Sequence, residues 1–522
     1  MIKRESVKKG SVTTSLLNIV GRFVGFFSVF LISYFFGANS KTDVYYFMLS
    51  FTALIVAIFS SLQGIVFLPL FIKLQETDGK ELAWKFLNSL LLYTMILIVV
   101  VGMVFVFFYA DILHVFSQFS NEAIKSSKEI VLLFGPILVL MVLAEFLRTI
   151  IQSHYQFTYP AIILFFANLF MIVFLLLFGK AVGVLIMVIS VICSYLFQCI
   201  FMFAYIKRFE PLFGFNIKFM DQHKEFLKIA APVLITQLLS SFTMFFYDYS
   251  ATIFTAGTLT AISFASRIFA LPNDMMISPM SNVVSPLFSE HNAKQDYKKL
   301  TDDYLKYNNM VWYIIVPLSV FFIFYSTPII EILFKRGHFN DNDVAISSNS
   351  LKYFSIGLFG LSYNAITTRA FFSLQKTLWI SVSSFAINIL SVMMTYFLIR
   401  QIGYSGISIS RSASVIIFSV GSCILFSYMY IKNFKLKYIL IPFLKMVSCS
   451  AIAGFLSINI YKFLSGSLLF NLKIVDLIFK FTISSIFYFI TYYALSYFVK
   501  LNEFSAISNL FTNKYKRILK IN

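Results

Sequence analysis

Apolar residues run along this chain in long blocks, and short polar stretches interrupt them. Blocks long enough to cross roughly 30 Å of hydrocarbon fall at approximately 15–36, 44–71, 84–109, 130–152, 159–178, 181–205, 229–254, 259–288, 308–330, 351–373, 378–399, 404–431, 438–463 and 474–499. The pattern predicts an all-α polytopic membrane protein with about fourteen transmembrane helices. An even number of spans places both ends on one side, and the basic residues choose the side. Lys3, Arg4, Lys8 and Lys9 precede the first span, and Lys73, Lys80 and Lys85 follow the second. Lys207, Arg208, Lys218, Lys224 and Lys228 follow the sixth, Lys294, Lys298, Lys299 and Lys306 the eighth, and Lys432, Lys435 and Lys437 the twelfth. Lys514, Lys516, Arg517 and Lys520 end the chain, and the opposite loops hold far fewer cations. Both termini are therefore expected in the cytoplasm.

The blocks repeat. "VFLPLFIKLQETDGKELAWKFL" after span two resembles "VVSPLFSEHNAKQDYKKLTDDYL" after span eight, with Pro69 aligned to Pro286, an offset of 286 − 69 = 217 residues. At nearly the same offset, "SYFFGANSKTDVYYF" resembles "ATIFTAGTLTAISFA". This predicts two pseudo-symmetric six-helix lobes: 1–220 with spans one to six, and 221–432 with spans seven to twelve. Spans thirteen and fourteen, 433–500, are appended. Repeated halves place a transporter's site at their interface. The last stretch, 501–522, carries Phe504, Ile507, Leu510, Phe511, Ile518 and Leu519 at helical spacing among lysines. It reads as a basic amphipathic helix on the cytoplasmic membrane surface.

Composition agrees with the blocks. Of 522 residues, 59% are hydrophobic and 12% charged, and mean hydropathy is +0.83, less charge than a soluble domain of this size exposes. The net charge of +19 sits in inter-span loops, which fits anionic lipid and not nucleic acid. Cys193, Cys199, Cys423 and Cys449 lie inside apolar spans without zinc spacing, so they read as buried packing residues. The basic N-terminus leads into an apolar run too long for a signal peptide and reads as a retained first helix. GxxxxGK[ST], HExxH and GxSxG patterns are absent from the sequence. The chain is expected not to be an enzyme and to use no cofactor or metal. Energy then comes from Na⁺, H⁺, the membrane potential or downstream consumption of the substrate.

The charges inside the blocks are the candidate chemistry, because ionisable residues at membrane depth face a partner or a wet cavity. Arg267 lies in "ISFASRIFALPNDMMISP", and Arg22, Arg148, Arg369 and Arg411 lie in or at the ends of other blocks. This excess of arginine points to an anionic cargo. Glu145 and Arg148 are three apart and can pair along one helix face, as a structural or a gating pair. Asp248 is either a cation or proton site or an arginine's partner. Asn388 supplies either a carbonyl to Na⁺ or a packing contact. Arg411 lies near an outer end and can snorkel. Pro272, Pro279 and Pro286 recur every seven residues and mark span eight as a bending hinge or a static kink.

Four segments resemble the MurJ/MviN family of the MOP flippase superfamily, relatives of the MATE and Wzx transporters. They are "GRFVGFFSVFLISYFFGANSKTD", "AISFASRIFALPNDMMISPMSNVVSPLFSEH", "EILFKRGHFNDNDV" with the Phe-x-Arg-Gly-x-Phe loop, and "LKYFSIGLFGLSYNAITTRAFFSLQKTLW". The resemblance implies two six-helix lobes around a cavity, two extra helices forming a lipid groove, and residence in the bacterial inner membrane. It implies a flippase that carries lipid II, an undecaprenyl-pyrophosphate-linked saccharide, between leaflets by alternating access, with cell-wall synthesis machinery as a candidate partner. It assigns Arg22, Ser28, Asp43 and Arg267 to the substrate site, and Asp248 and Asn388 to a Na⁺ site. The sequence departs from the family at Ser28 and Val56, where arginines are expected, and at Val392, where an acid is expected near Asn388. A diphosphate is best held by more than one guanidinium, so Arg22, Arg148 or Arg369 would have to compensate. The alternatives are a Wzx-like carrier of O-antigen, capsule or exopolysaccharide units, a MATE-like cation-coupled exporter, and a non-transporting scaffold.

Overall fold

The computed structural model describes residues 7–154, 156–214, 216–430, 437–466 and 473–504, and among these it contains helices and connecting turns without a strand. In chain order the helices are α1 (Val7–Phe36), α2 (Ser40–Leu62), α3 (Leu68–Thr77), α4 (Lys80–Phe107), α5 (Tyr109–Phe116), α6 (Asn121–Ser126), α7 (Lys128–Leu132), α8 (Phe134–Ser153), α9 (Thr158–Val182) and α10 (Leu185–Phe209). They continue with α11 (Asp221–Ala251), α12 (Thr258–Pro272), α13 (Ser278–Ala293), α14 (Tyr297–Phe334), α15 (Asp341–Ile356), α16 (Leu358–Ser373), α17 (Thr377–Ile402), α18 (Ser405–Tyr430), α19 (Lys437–Ser465) and α20 (Lys473–Phe498). Each expected span falls on one helix or on two helices joined by a break. Ten described segments are both long and apolar enough to cross a membrane. The expected spans outside that set lie on α1 and α11, which are described only in part, and on α12–α13 and α15–α16, each interrupted by a break.

Two breaks are π-turns. Residues Gln63–Phe67 join α2 to α3, and Asn273–Ile277 join α12 to α13. The closing bonds run five residues back, from Leu68 N–H to Gln63 O and from Ser278 N–H to Asn273 O. The cause is the next residue in each case. Pro69 and Pro279 lack an N–H, and their rings crowd the carbonyl four residues earlier. A wider turn relieves both problems without ending the helix. The breaks are 273 − 63 = 210 residues apart. Pro279 therefore shares Pro69's environment, whereas Pro286, its partner by sequence, lies inside α13. The second copy keeps the Pro-Leu-Phe string but breaks two turns earlier.

The chain forms two compact units, 1–263 with 336–343, and 264–335 with 344–522. In the first, α8 packs against α2, α4 and α10, while α9 packs on α1 and α10. Helix α11 packs on α2, so span seven belongs by contact to this unit, although the repeat boundary was expected near residue 220. In the second unit α16 is central, against α13, α14 and α18, and α17 lies on α18. The appended α19 and α20 pack on each other and on α14. Pro317 inside α14 cannot donate to Tyr313 O. The Tyr492 hydroxyl of α20 donates to that carbonyl at 3.1 Å, and Tyr488 donates to Pro317 O at 2.7 Å. Of the expected amphipathic tail, residues 505–522 lie outside the described residues.

Candidate substrate site

Helix α2 begins with a capping box. The Asn39 side chain accepts from Lys41 and Thr42 N–H, and Thr42 Oγ1 accepts from Asn39 N–H. That start aims Asp43, 3% exposed, at the beginning of α12. Asp43 Oδ2 accepts from Gly257 N–H at 2.6 Å, and Oδ1 accepts from Thr260 N–H at 2.8 Å and from Thr260 Oγ1 at 2.6 Å. A carboxylate at a helix N-terminus meets donors no helical carbonyl can serve. Asp43, which the resemblance assigns to substrate, caps α12 with its carboxylate.

The Phe-x-Arg-Gly-x-Phe loop docks on the same corner. Gly37 and Gly337 have φ +65° and +60°. A Cβ on Gly37 would overlap His338 O, and one on Gly337 would overlap Tyr34 O. Both positions need glycine for conformation and for space. The Arg336 guanidinium lies over the Phe30 ring at 5.2 Å, and Phe339 is buried. Asn340 and Asp343 close the loop through reciprocal side-chain bonds to each other's N–H at 2.9 and 3.0 Å. The motif that most specifically marks the family is thus a backbone clasp.

The remaining candidates of the first unit are spread over several helices. Ser28 is buried and donates to Gly25 O at 2.6 Å. Val56, at the other lost arginine position, is also buried. Arg22 is exposed. Arg148 pairs with Glu145 at 2.8 Å and reaches Gln198 Oε1 at 3.5 Å. Asp248 Oδ2 accepts from the Ser50 hydroxyl at 2.5 Å. Ser50, Gln198 and Thr260 were not anticipated, because each lies dozens to hundreds of residues from its partner.

In the second unit Arg267 is exposed on α12, within the eighth expected span and six residues before the π-turn. Arg369 on α16 donates to Asn282 Oδ1 on α13 at 2.8 Å. Arg267 and Asn282 are fifteen residues apart on the broken helix, close to four turns, and both are exposed. Pro272 and Pro279 bracket the π-turn, while Pro286 sits in continuous helix and is exposed. Asn388 Nδ2 donates to Ser384 O of its own helix at 2.9 Å. Arg411 reaches sideways to α12, where its Nη1 donates to Ser266 Oγ at 3.3 Å between the rings of Phe269 and Phe354. Sequence reading suggested snorkelling for it instead. Arg267 on α12, with Arg369 and Arg411 reaching the same broken helix from α16 and α18, gives the second unit guanidinium groups suited to holding an anion.

Comparison with known proteins gives the family. The family model described as lipid II flippase MurJ matches residues 32–475. A probable lipid II flippase MurJ of Buchnera aphidicola subsp. Schizaphis graminum is 24% identical over 475 residues, 87% of this chain and 90% of that protein. A solved structure of lipid II flippase MurJ in an inward closed conformation is similar over 94% of this chain and 99% of its own, with TM-score 0.76 and 19% identity. An inward-facing multidrug resistance MATE family transporter of the MOP superfamily is similar over 81% of this chain and 94% of its own, with TM-score 0.64 and 15% identity. The two structures share the fold. By a family match over most of its length, this multi-pass membrane protein belongs to the MurJ lipid II flippase family.

Proposed function

We propose that this chain carries lipid II across the bacterial inner membrane, from the cytoplasmic to the outer leaflet, by alternating access. The observation that carries the reading is Arg267, exposed at membrane depth on a helix broken by a proline-supported π-turn, in a chain matching the flippase family over residues 32–475. A guanidinium keeps its charge and presents a planar fork of donors that suits a diphosphate. Arg369 reaches the same broken helix from α16 through Asn282 and is the first candidate to assist it. The turn at 273–277 gives that helix a place to bend, and the prolines on either side keep the bend in place. Coupling to Na⁺, H⁺ or membrane potential belongs to this proposal, with Asp248 and Asn388 as ion-binding candidates.

Burial of Ser28 and Val56 supports one other reading: a different saccharide on the same diphosphate lipid, held by fewer arginines. Complementation separates the two. A host depleted of its own lipid II flippase is given the wild-type chain or Arg267→Ala. Rescue by wild type alone is expected. Failure of a well-inserted wild type moves the assignment to another lipid-linked saccharide. Rescue by Arg267→Ala as well removes that arginine from the mechanism.

A further inference from the structure

We propose that the connector between spans six and seven is a lipid anchor: residues 212–228 bind anionic phospholipid of the cytoplasmic leaflet, with Ile217 and Phe219 against the acyl boundary and Lys218 and Lys228 at the headgroups. This face belongs to the first unit, and its ligand is not the cargo. Ile217 is 76% and Phe219 52% exposed, and Leu212 and Leu227 are exposed in the same stretch. Lys218, Lys224 and Lys228 are exposed among them.

Helix α4 sets the height of this segment. Its charged residues are Lys80, Glu81 and Lys85, and residues 86–107 carry no charge. That run rises about 1.5 Å per residue, enough to cover roughly 30 Å of hydrocarbon, so the inner boundary lies next to residue 86. The connector is bonded at that level. Asn88 Nδ2 donates to Leu212 O at 2.8 Å, and Asn88 Oδ1 accepts from Gly214 N–H at 3.2 Å. Asn216 Nδ2 donates to Lys85 O at 3.0 Å. Tyr93 starts about two turns deeper, but long helical side chains lean toward the helix start, and its hydroxyl donates to Ile217 O at 2.5 Å.

Both ends of the segment are fixed in the core of the first unit. Phe213 is buried with its ring 6.1 Å from that of Trp84, and Phe226 is buried in the same cluster. The connector is therefore held in place by α4 and by its own ends while its apolar side chains stay outward. The charge beside them is positive. Asp221 pairs with Lys224 at 2.9 Å and Glu225 with Lys73 at 3.1 Å. This leaves Lys218 and Lys228 without an ion-pair partner among the described residues, and Lys207 and Arg208 are exposed at the end of α10. Apolar side chains at the depth where acyl chains begin, with surplus lysine beside them, complement an anionic leaflet. Each lysine near such a surface contributes roughly a fivefold preference for it.

The test places the full-length protein in nanodiscs, with Ile217→Cys, Phe219→Cys or Glu76→Cys in a Cys193→Ser background, each labelled with a bimane fluorophore. Phospholipid brominated near the top of its acyl chains quenches a label at the boundary. Quenching at 217 and 219 should exceed severalfold that at 76, an exposed position in the turn after span two. At equal mole fraction, brominated phosphatidylglycerol should quench severalfold more than brominated phosphatidylcholine. Adding Lys218→Gln and Lys228→Gln should bring the two lipids close to equal while quenching by either persists. Quenching at 217 and 219 no greater than at 76 overturns the proposal, because the segment then lies in water or under a protein. Equal quenching by the two lipids without the lysine substitutions also overturns it, since the face then has no preference for anionic lipid. A phosphatidylglycerol preference that survives both substitutions removes the lysines from the site. Each of these results leaves the flippase reading in place.

Discussion

At the scale of single residues, a membrane-embedded charge is read by what its atoms touch. Asp43 and Arg267 were both expected to meet substrate, yet Asp43 is enclosed by α12 donors and Arg267 is exposed. Asp43→Ala should therefore lower stability by about 1–2 kcal/mol, as loss of a helix cap does, and Arg267→Ala should leave stability close to wild type while removing transport. Thermal melting in detergent beside a transport assay separates the two; a transport-null Asp43→Ala with an unchanged melt would restore it to the binding site. His223, before span seven, gives a pH-dependent case. Its Nδ1 accepts from Met220 N–H at 3.1 Å and its Nε2 lies 2.9 Å from Ser89 Oγ. Ser89 Oγ also lies 2.9 Å from Lys85 O and Phe86 O, and His223 Nδ1 lies 3.2 Å from Met220 O. Burial lowers its pKa from 6.5. The unfolded chain then binds the proton more readily, so stability is full above 6.5 and falls as the pH drops through and below that value. Melting temperature measured from pH 8 to pH 5 should decline in wild type, and His223→Asn should remove part of that decline. A slope unaffected by the substitution would count against this assignment.

At the scale of elements, the sequence was most legible where one physical requirement dominates. Apolar length alone located the spans, since hydrocarbon leaves a backbone no alternative to helix. Glu145 and Arg148 were legible because i,i+3 partners meet on any helix. Long-range pairs were not: Asp43 with Thr260 and Ser50 with Asp248 are 217 and 198 residues apart, and nothing local to either residue signals the partner. The π-turns were hidden for another reason. The shared Pro-Leu-Phe string matched Pro69 with Pro286, but the break follows the proline that ends a five-residue turn, which is Pro279. A prediction follows for the second break. Pro279→Ala restores the missing N–H and should let α12 and α13 run on as one regular helix, which favours a single conformation. Transport should fall severalfold with an equal or higher melting temperature. Pro286→Ala, in helix that is already continuous, should change transport much less; equal effects at the two positions would remove the special role of the turn.

At the scale of the whole molecule, the alternation of basic and non-basic loops decides which way the carrier works, because a flippase inserted in reverse would move its cargo the wrong way. The positive-inside rule predicts both termini in the cytoplasm, the turns after spans two and eight facing inward, and the segment between spans three and four and the turn between spans five and six facing outward. The native thiols make this measurable. Cys199, Cys423 and Cys449 are buried and Cys193 is half-buried, so a Cys193→Ser background should label weakly. Single cysteines can then be placed at exposed Glu76, Asn121, Lys180 and Lys298. In intact cells a membrane-impermeant maleimide should modify Asn121→Cys and Lys180→Cys, and it should reach Glu76→Cys and Lys298→Cys only after the membrane is opened. The opposite pattern would put the termini outside. A mixed pattern, with 76 and 298 on different sides, would break the parallel relation between the two copies. Lys73, Lys80 and Lys85 flank one inner turn, and Lys294, Lys298, Lys299 and Lys306 flank the other. Two copies inserted by the same charge rule should label together at these two positions, which would place the inner ends of both broken helices on one side of the membrane.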